Sequence, residues 1–91
     1  MKNGMKIKSS YIMIEVAGTH VVVPTGEAAL DFSGMITLNG TGVFLWKQLE
    51  QEKTERELLS VLLEEYKVDE TEANTDISEF LAKLKAADLF E

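Results

Sequence analysis

The hydrophobic pattern of this chain changes period once, near Asn39, and the change divides it into a sheet-forming half and a helix-forming half. Before it, Tyr11-Ile12-Met13-Ile14-Glu15-Val16 and His20-Val21-Val22-Val23 are apolar, β-prone runs. Ala17-Gly18-Thr19 separates them and Pro24 ends the second. Two such runs around a short glycine-containing turn predict a β-hairpin, because β-branched side chains suit a pleated surface. Thr25 to Gly34 reads as a loop, and Met35-Ile36-Thr37-Leu38 as a short third strand. Residues 1–10 are polar and basic and are expected to fray.

After Asn39 the apolar residues recur at helical spacing. Asn39-Gly40-Thr41-Gly42 is a helix entry with Asn39 or Thr41 as N-cap, since either side chain can accept a bond from an orphan N–H of the first turn. Val43, Phe44, Leu45, Trp46 and Leu49 then make a short helix to about Glu50. Thr54-Glu55-Arg56-Glu57 fits the capping box, a hydroxyl followed three residues later by a glutamate. Leu58, Leu59, Leu62, Leu63 and Tyr66 continue that second helix. Asp69 caps a third, whose stripe is Ala73, Ile77, Phe80, Leu81 and Leu84; it ends near Ala86-Ala87-Asp88, and Leu89-Phe90 folds back on the core. The expected fold is therefore α+β, a three-stranded antiparallel sheet followed by three helices, built by residues 1–91 as one domain.

The composition removes whole classes of chemistry. The chain has no cysteine, so disulfides, thiolate metal sites and thiol nucleophiles are excluded. Its one histidine, His20, has no partner for metal or base chemistry in the sequence and reads as an exposed turn residue. The pairs Glu50/Glu52, Glu64/Glu65 and Glu70/Glu72 read as solvated helix faces and helix-dipole partners. Asp76 lies beside the apolar stripe, where it could cap a neighbouring helix or meet a partner's cation. Asn39-Gly40-Thr41-Gly42 lacks the spacing and the Lys-Ser/Thr ending of a phosphate loop. Phe44, Trp46 and Phe80 read as core aromatics. No catalytic residue, metal or cofactor is expected. A chain of 91 residues builds only a thin core. With no long apolar run and no secretion signal, it reads as a cytoplasmic domain without a membrane partner.

Four pieces in order carry a family resemblance. Ile36-Thr37-Leu38-Asn39-Gly40-Thr41-Gly42-Val43-Phe44-Leu45-Trp46 resembles the strand-to-helix signature of the PqqD-like family, the recognition elements for ribosomally made precursor peptides. Thr54-Glu55-Arg56-Glu57-Leu58-Leu59 is similar to the opening of its second helix. Leu62-Leu63-Glu64-Glu65-Tyr66-Lys67-Val68-Asp69 is similar to its link into the third. Asp76-Ile77-Ser78-Glu79-Phe80-Leu81, with Leu84 and Ala87-Asp88-Leu89, resembles its ending. Asp88 departs from that pattern, which has glycine there, so the last turn is expected to close differently.

The resemblance covers roughly residues 11–90. It implies a winged helix-turn-helix-like fold and non-catalytic binding of a leader peptide, delivered to a maturation enzyme that in some pathways is a radical S-adenosylmethionine enzyme. It also implies a site beside the third strand and against the third helix: Met35, Ile36, Thr37 and Leu38 on one side, and Asn74, Asp76, Ile77, Phe80, Leu81 and Leu84 on the other. Physics supports that mode, because a small sheet has an open edge to which an extended peptide can add. The same edge allows a strand-paired homodimer. An accessory domain of the same fold that binds some other protein partner is the alternative reading.

Nucleic acid is not an expected partner. The net charge is −7; its excess lies in the second half, and the third helix bears six acidic residues against Lys83 and Lys85 from Asp69 to Asp88. A groove-reading helix shows the opposite balance. Fluorescence anisotropy with random duplex DNA at physiological ionic strength is expected to show no binding; sub-micromolar, salt-sensitive binding would contradict the reading.

Overall fold

The computed structural model describes residues 4–26 and 36–91. Among these the elements are β1 (Tyr11–Val16), β2 (Thr19–Pro24), β3 (Ile36–Leu38), α1 (Gly40–Gln48), α2 (Glu55–Glu65) and α3 (Glu70–Ala86). The strands pair antiparallel in the order β1-β2-β3. Three antiparallel strands followed by three helices is the architecture expected from the change of period. Met35 and the loop over 27–34 lie outside the described residues.

The hairpin turn is tighter than the sequence suggested. Val16 pairs with Thr19, so Thr19 belongs to β2 and only Ala17 and Gly18 turn. Both have positive φ, 52° and 82°, the pattern of a two-residue turn whose twist matches that of the strands it joins. His20 accordingly lies within β2, half-buried, opposite Glu15 and Leu38, and is not a turn residue.

The sheet's two faces differ. Val22 and Leu38 enter the main core, with Tyr11, Met13 and Ile36 packed against it. Ile12, Ile14 and Val16 share the opposite face and are 43%, 37% and 53% exposed. The three helices supply most of the core: Leu45, Trp46 and Leu49 from α1 and its cap, Leu58 and Leu62 from α2, and Ala73, Ile77, Phe80, Leu81 and Leu84 from α3. Phe44 meets Tyr66 edge to face, with ring centroids 5.5 Å apart, a geometry that suits the ring quadrupoles.

Each helix starts on a side chain the sequence marks. Asn39 Oδ1 accepts from Gly42 N–H at 2.8 Å. Thr54 and Glu57 form the reciprocal capping box, at 3.1 and 2.8 Å. Asp69 accepts from Glu72 N–H at 2.7 Å. These three account for the helix N-termini, so Asp76 caps none of them.

Residues 4–8 do not fray as expected. Met5 and Lys53 exchange backbone bonds of 2.7 and 2.9 Å, Ile7 N–H donates to Leu49 C=O at 3.0 Å, and Lys8 N–H donates to Leu89 C=O at 2.8 Å. Ile7 is 5% exposed and belongs to the core. The segment thus straps the α1–α2 junction to the C-terminal tail, where Leu89 is fully buried. Asp88 adopts the left-handed conformation, φ 59°, so the last turn closes as a glycine would close it; the Lys8 ammonium lies 3.1 Å from its carboxylate.

Ala17 has no side-chain group to favour its left-handed conformation, whereas asparagine visits that region readily. Ala17→Asn is expected to raise stability by about 0.5–1 kcal/mol, read as an upward shift of the chemical-denaturation midpoint with an unchanged slope.

Candidate binding groove

Among the described residues β3 is an edge of the sheet, and the backbone groups it leaves without a partner there follow from the hairpin. In a hairpin closed by two residues, the flanking pair exchanges both backbone bonds. Val16↔Thr19 is therefore a bonded pair, and alternation makes Ile14↔Val21 and Ile12↔Val23 bonded as well. Tyr11↔Pro24 falls on an unbonded position, as a residue without an N–H requires. His20 and Val22 then turn their N–H and C=O toward β3, where they meet Leu38 and Ile36. Val21↔Thr37 is the unbonded pair between them, so the N–H and C=O of Thr37 point out at the open edge.

Beside this edge lies a groove of about 390 Å³ between β3, the start of α1 and α3. Leu38, Leu45 and Phe80 give it an apolar lining. Asn39, Thr41 and Gly42 line the end where strand passes into helix. There the Asn39 cap keeps the turn short: a Cβ at Gly42 would lie 3.2 Å from Asn39 Oδ1 and 3.4 Å from the Leu38 Cβ, so a larger residue would push the cap away. Asp76, Glu79 and Lys83 of α3 supply charge along the opposite wall.

The structure brings together part of the expected set. Thr37, Leu38, Asp76 and Phe80 line the groove. Ile36 adjoins it on β3 but packs against the core, and Met35 lies outside the described residues. Ile77, Leu81 and Leu84 do not line it; they are 0%, 3% and 0% exposed and are spent on the core. Asn74 is half-buried and also absent from the lining. Of the α3 stripe, Phe80 alone reaches the groove lining, and Ala73, Ile77, Leu81 and Leu84 are buried in the core. Of the two readings of Asp76, capping a neighbouring helix is excluded by the observed caps.

Sequence reading missed Asn39, Thr41, Gly42, Leu45 and Lys83 as groove residues. Asn39 and Gly42 were visible as a helix entry, but a cap and a groove wall leave the same trace in sequence. Among the described residues no three His, Cys, Asp or Glu side chains cluster as a metal site, and no helix is long and apolar enough to cross a membrane.

A family model described as coenzyme PQQ synthesis protein D (PqqD) matches residues 19–89. The chain belongs to the PqqD family. The match begins at the first residue of β2, so it takes in both β2 and β3, all three helices and the groove, and leaves β1 and the N-terminal strap outside. Among solved structures this PqqD-family chain is similar to TbiB1 in complex with the TbiA(beta) leader peptide, with a TM-score of 0.73 and 24% identity over 96% of this chain and 95% of that one. That likeness shows the fold. No curated protein matches the chain.

Removing the cap should loosen this end of the groove. Asn39→Ala is expected to cost about 1 kcal/mol, and hydrogen exchange at the Gly42 amide should rise more than at amides in α2 or α3.

Proposed function

We propose that this chain is a non-catalytic domain that binds the leader segment of a ribosomally made precursor peptide and presents it to a maturation enzyme in the cytoplasm. The observation that carries the reading is that the N–H and C=O of Thr37 have no partner among the described residues and lie beside an apolar groove. An extended peptide laid on that edge gains backbone bonds from Thr37, and its alternate side chains face Leu38, Leu45 and Phe80. The side chains opposite Ile36 and Leu38 would enter the groove, because cross-strand neighbours share a face. The TbiB1 complex supports the reading, since that protein of the same fold was solved with a leader peptide. Binding of this kind calls on no nucleophile or general base.

The peptide-binding residues in this reading are Ile36, Thr37 and Leu38 with Asp76 and Phe80 from the expected set. Asn39, Thr41, Gly42, Leu45, Glu79 and Lys83 are added by the groove. Met35 directly precedes the strand in sequence and is retained as a candidate contact. Ile77, Leu81 and Leu84 hold α3 on the core behind the groove wall, and Asn74 is retained as a candidate contact on the same helix.

The sharpest probe is the backbone itself, which no side-chain truncation removes. Thr37→Pro deletes the outward N–H while costing no bond to β2, the one place where an edge strand accepts proline. Calorimetric titration with the leader of a precursor encoded beside this gene is expected to show at least tenfold weaker binding for Thr37→Pro, with circular dichroism unchanged. In the wild-type protein, leader-induced amide shifts should fall on residues 36–45 and 76–83. Shifts confined to β1 and β2 with those segments silent would overturn the proposal.

A further inference from the structure

The wall of the groove on α3 carries charge of both signs in a fixed order: Asp76 and Glu79 toward the helix N-terminus, then Lys83 toward its C-terminus. Among the described residues the one salt bridge is Lys8–Asp88, so none of these three is engaged in an ion pair there. Glu79 and Lys83 stand four residues apart and could meet across one turn, but such surface pairs are weak and readily exchanged for a ligand's charge.

This order supplies what the edge alone cannot. A short strand with one outward N–H and C=O accepts an extended peptide in either direction. It also accepts a peptide slipped by two residues, since a two-residue shift restores both the bonding pattern and the facing side chains. The apolar lining is equally tolerant. Beyond the uncharged end at Asn39, Thr41 and Gly42, the charges on α3 are what gives the groove a polarity along its length. At 1.5 Å of rise per residue, Glu79 and Lys83 lie roughly 6 Å apart along the helix and Asp76 and Lys83 roughly 10 Å. Successive same-face side chains of an extended peptide are roughly 6.8 Å apart, so two neighbouring inward-facing peptide residues span the distance from the carboxylates to the ammonium; residues four apart, at roughly 13 Å, overshoot it.

Resting on the peptide-binding reading above, we propose that the groove selects a peptide bearing opposite charges two residues apart, a Lys or Arg over Asp76 and Glu79 and an Asp or Glu over Lys83, and that this pair sets the direction and register of the bound strand. The effect belongs to selectivity more than to total affinity, because rim charges at this exposure change binding only several-fold.

The test is selection from a displayed pool of randomised twelve-residue peptides, against the wild-type domain and against Asp76→Lys/Glu79→Lys/Lys83→Glu, a variant that inverts the wall without touching a core side chain. The wild type is expected to enrich a basic and an acidic residue at two-residue spacing in one order, and the inverted variant the opposite order. Synthetic peptides differing only in that order should differ about three- to tenfold in affinity. Enrichment of both orders alike, or of a charge-free apolar consensus whose amide shifts still fall on residues 36–45 and 76–83, overturns the charge proposal and leaves the groove standing. No enrichment on the wild type, or enriched peptides whose shifts fall elsewhere, overturns both.

Discussion

The bond from Gly42 N–H to Asn39 Oδ1 joins the two layers of the molecule. Leu38 is the last residue of β3 and is buried in the core; Asn39 is still extended, and Gly40 begins α1. No connecting loop separates sheet from helix at this point. Leu38 thus fixes the edge strand against the core, and six and seven residues after Asn39 the chain is already packing Leu45 and Trp46 into that same core. The groove exists because this junction brings the first turn of α1 and the open edge together, with α3 packed across from them.

Much of this was legible because it rests on local chemistry. Asn39, Thr54 and Asp69 announce helix starts through short-range bonds between a side chain and a backbone amide a few residues on. The β-prone runs on either side of a short glycine-containing turn announce the hairpin, though not that the turn is only Ala17 and Gly18. What escaped the sequence depends on contacts between distant residues. Nothing in Gly4 to Lys8 marks Ile7 as a core residue, because the Leu49 and Leu89 carbonyls that bind its segment are more than forty and eighty residues away. The stripe of α3 is likewise visible as a stripe, yet only the completed packing decides that Ile77, Leu81 and Leu84 face inward and that Phe80 reaches the groove wall. Asp88 shows the limit of reasoning from one residue: its preference alone argued for a different turn, while burial of Leu89 and the Lys8 contact hold it left-handed.

Burial is also divided unevenly across the sheet. The face bearing Val22 and Leu38 is committed to the core, while on the other face Val21 is buried and Ile12, Ile14 and Val16 are partly exposed. The hairpin therefore contributes to stability mainly through one face and through the strand pairing that seats β3. Its role in the groove is indirect but firm, since the register of β2 decides which groups of β3 remain unpaired.

In a strand of L-residues, the face a side chain takes and the edge its amide addresses are linked. On β3 the residues that face the core, Ile36 and Leu38, are the ones bonded to β2, and the residue whose amide is open, Thr37, has a side chain the core does not constrain. The demands of folding and the demands of any partner at the edge therefore fall on different positions of the same three-residue strand. Position 37 can take most side chains while presenting the same amide and carbonyl. An edge of this kind can persist through long divergence with little trace in the residues that form it, and its history is better preserved in its neighbours, the buried leucine and the capping asparagine.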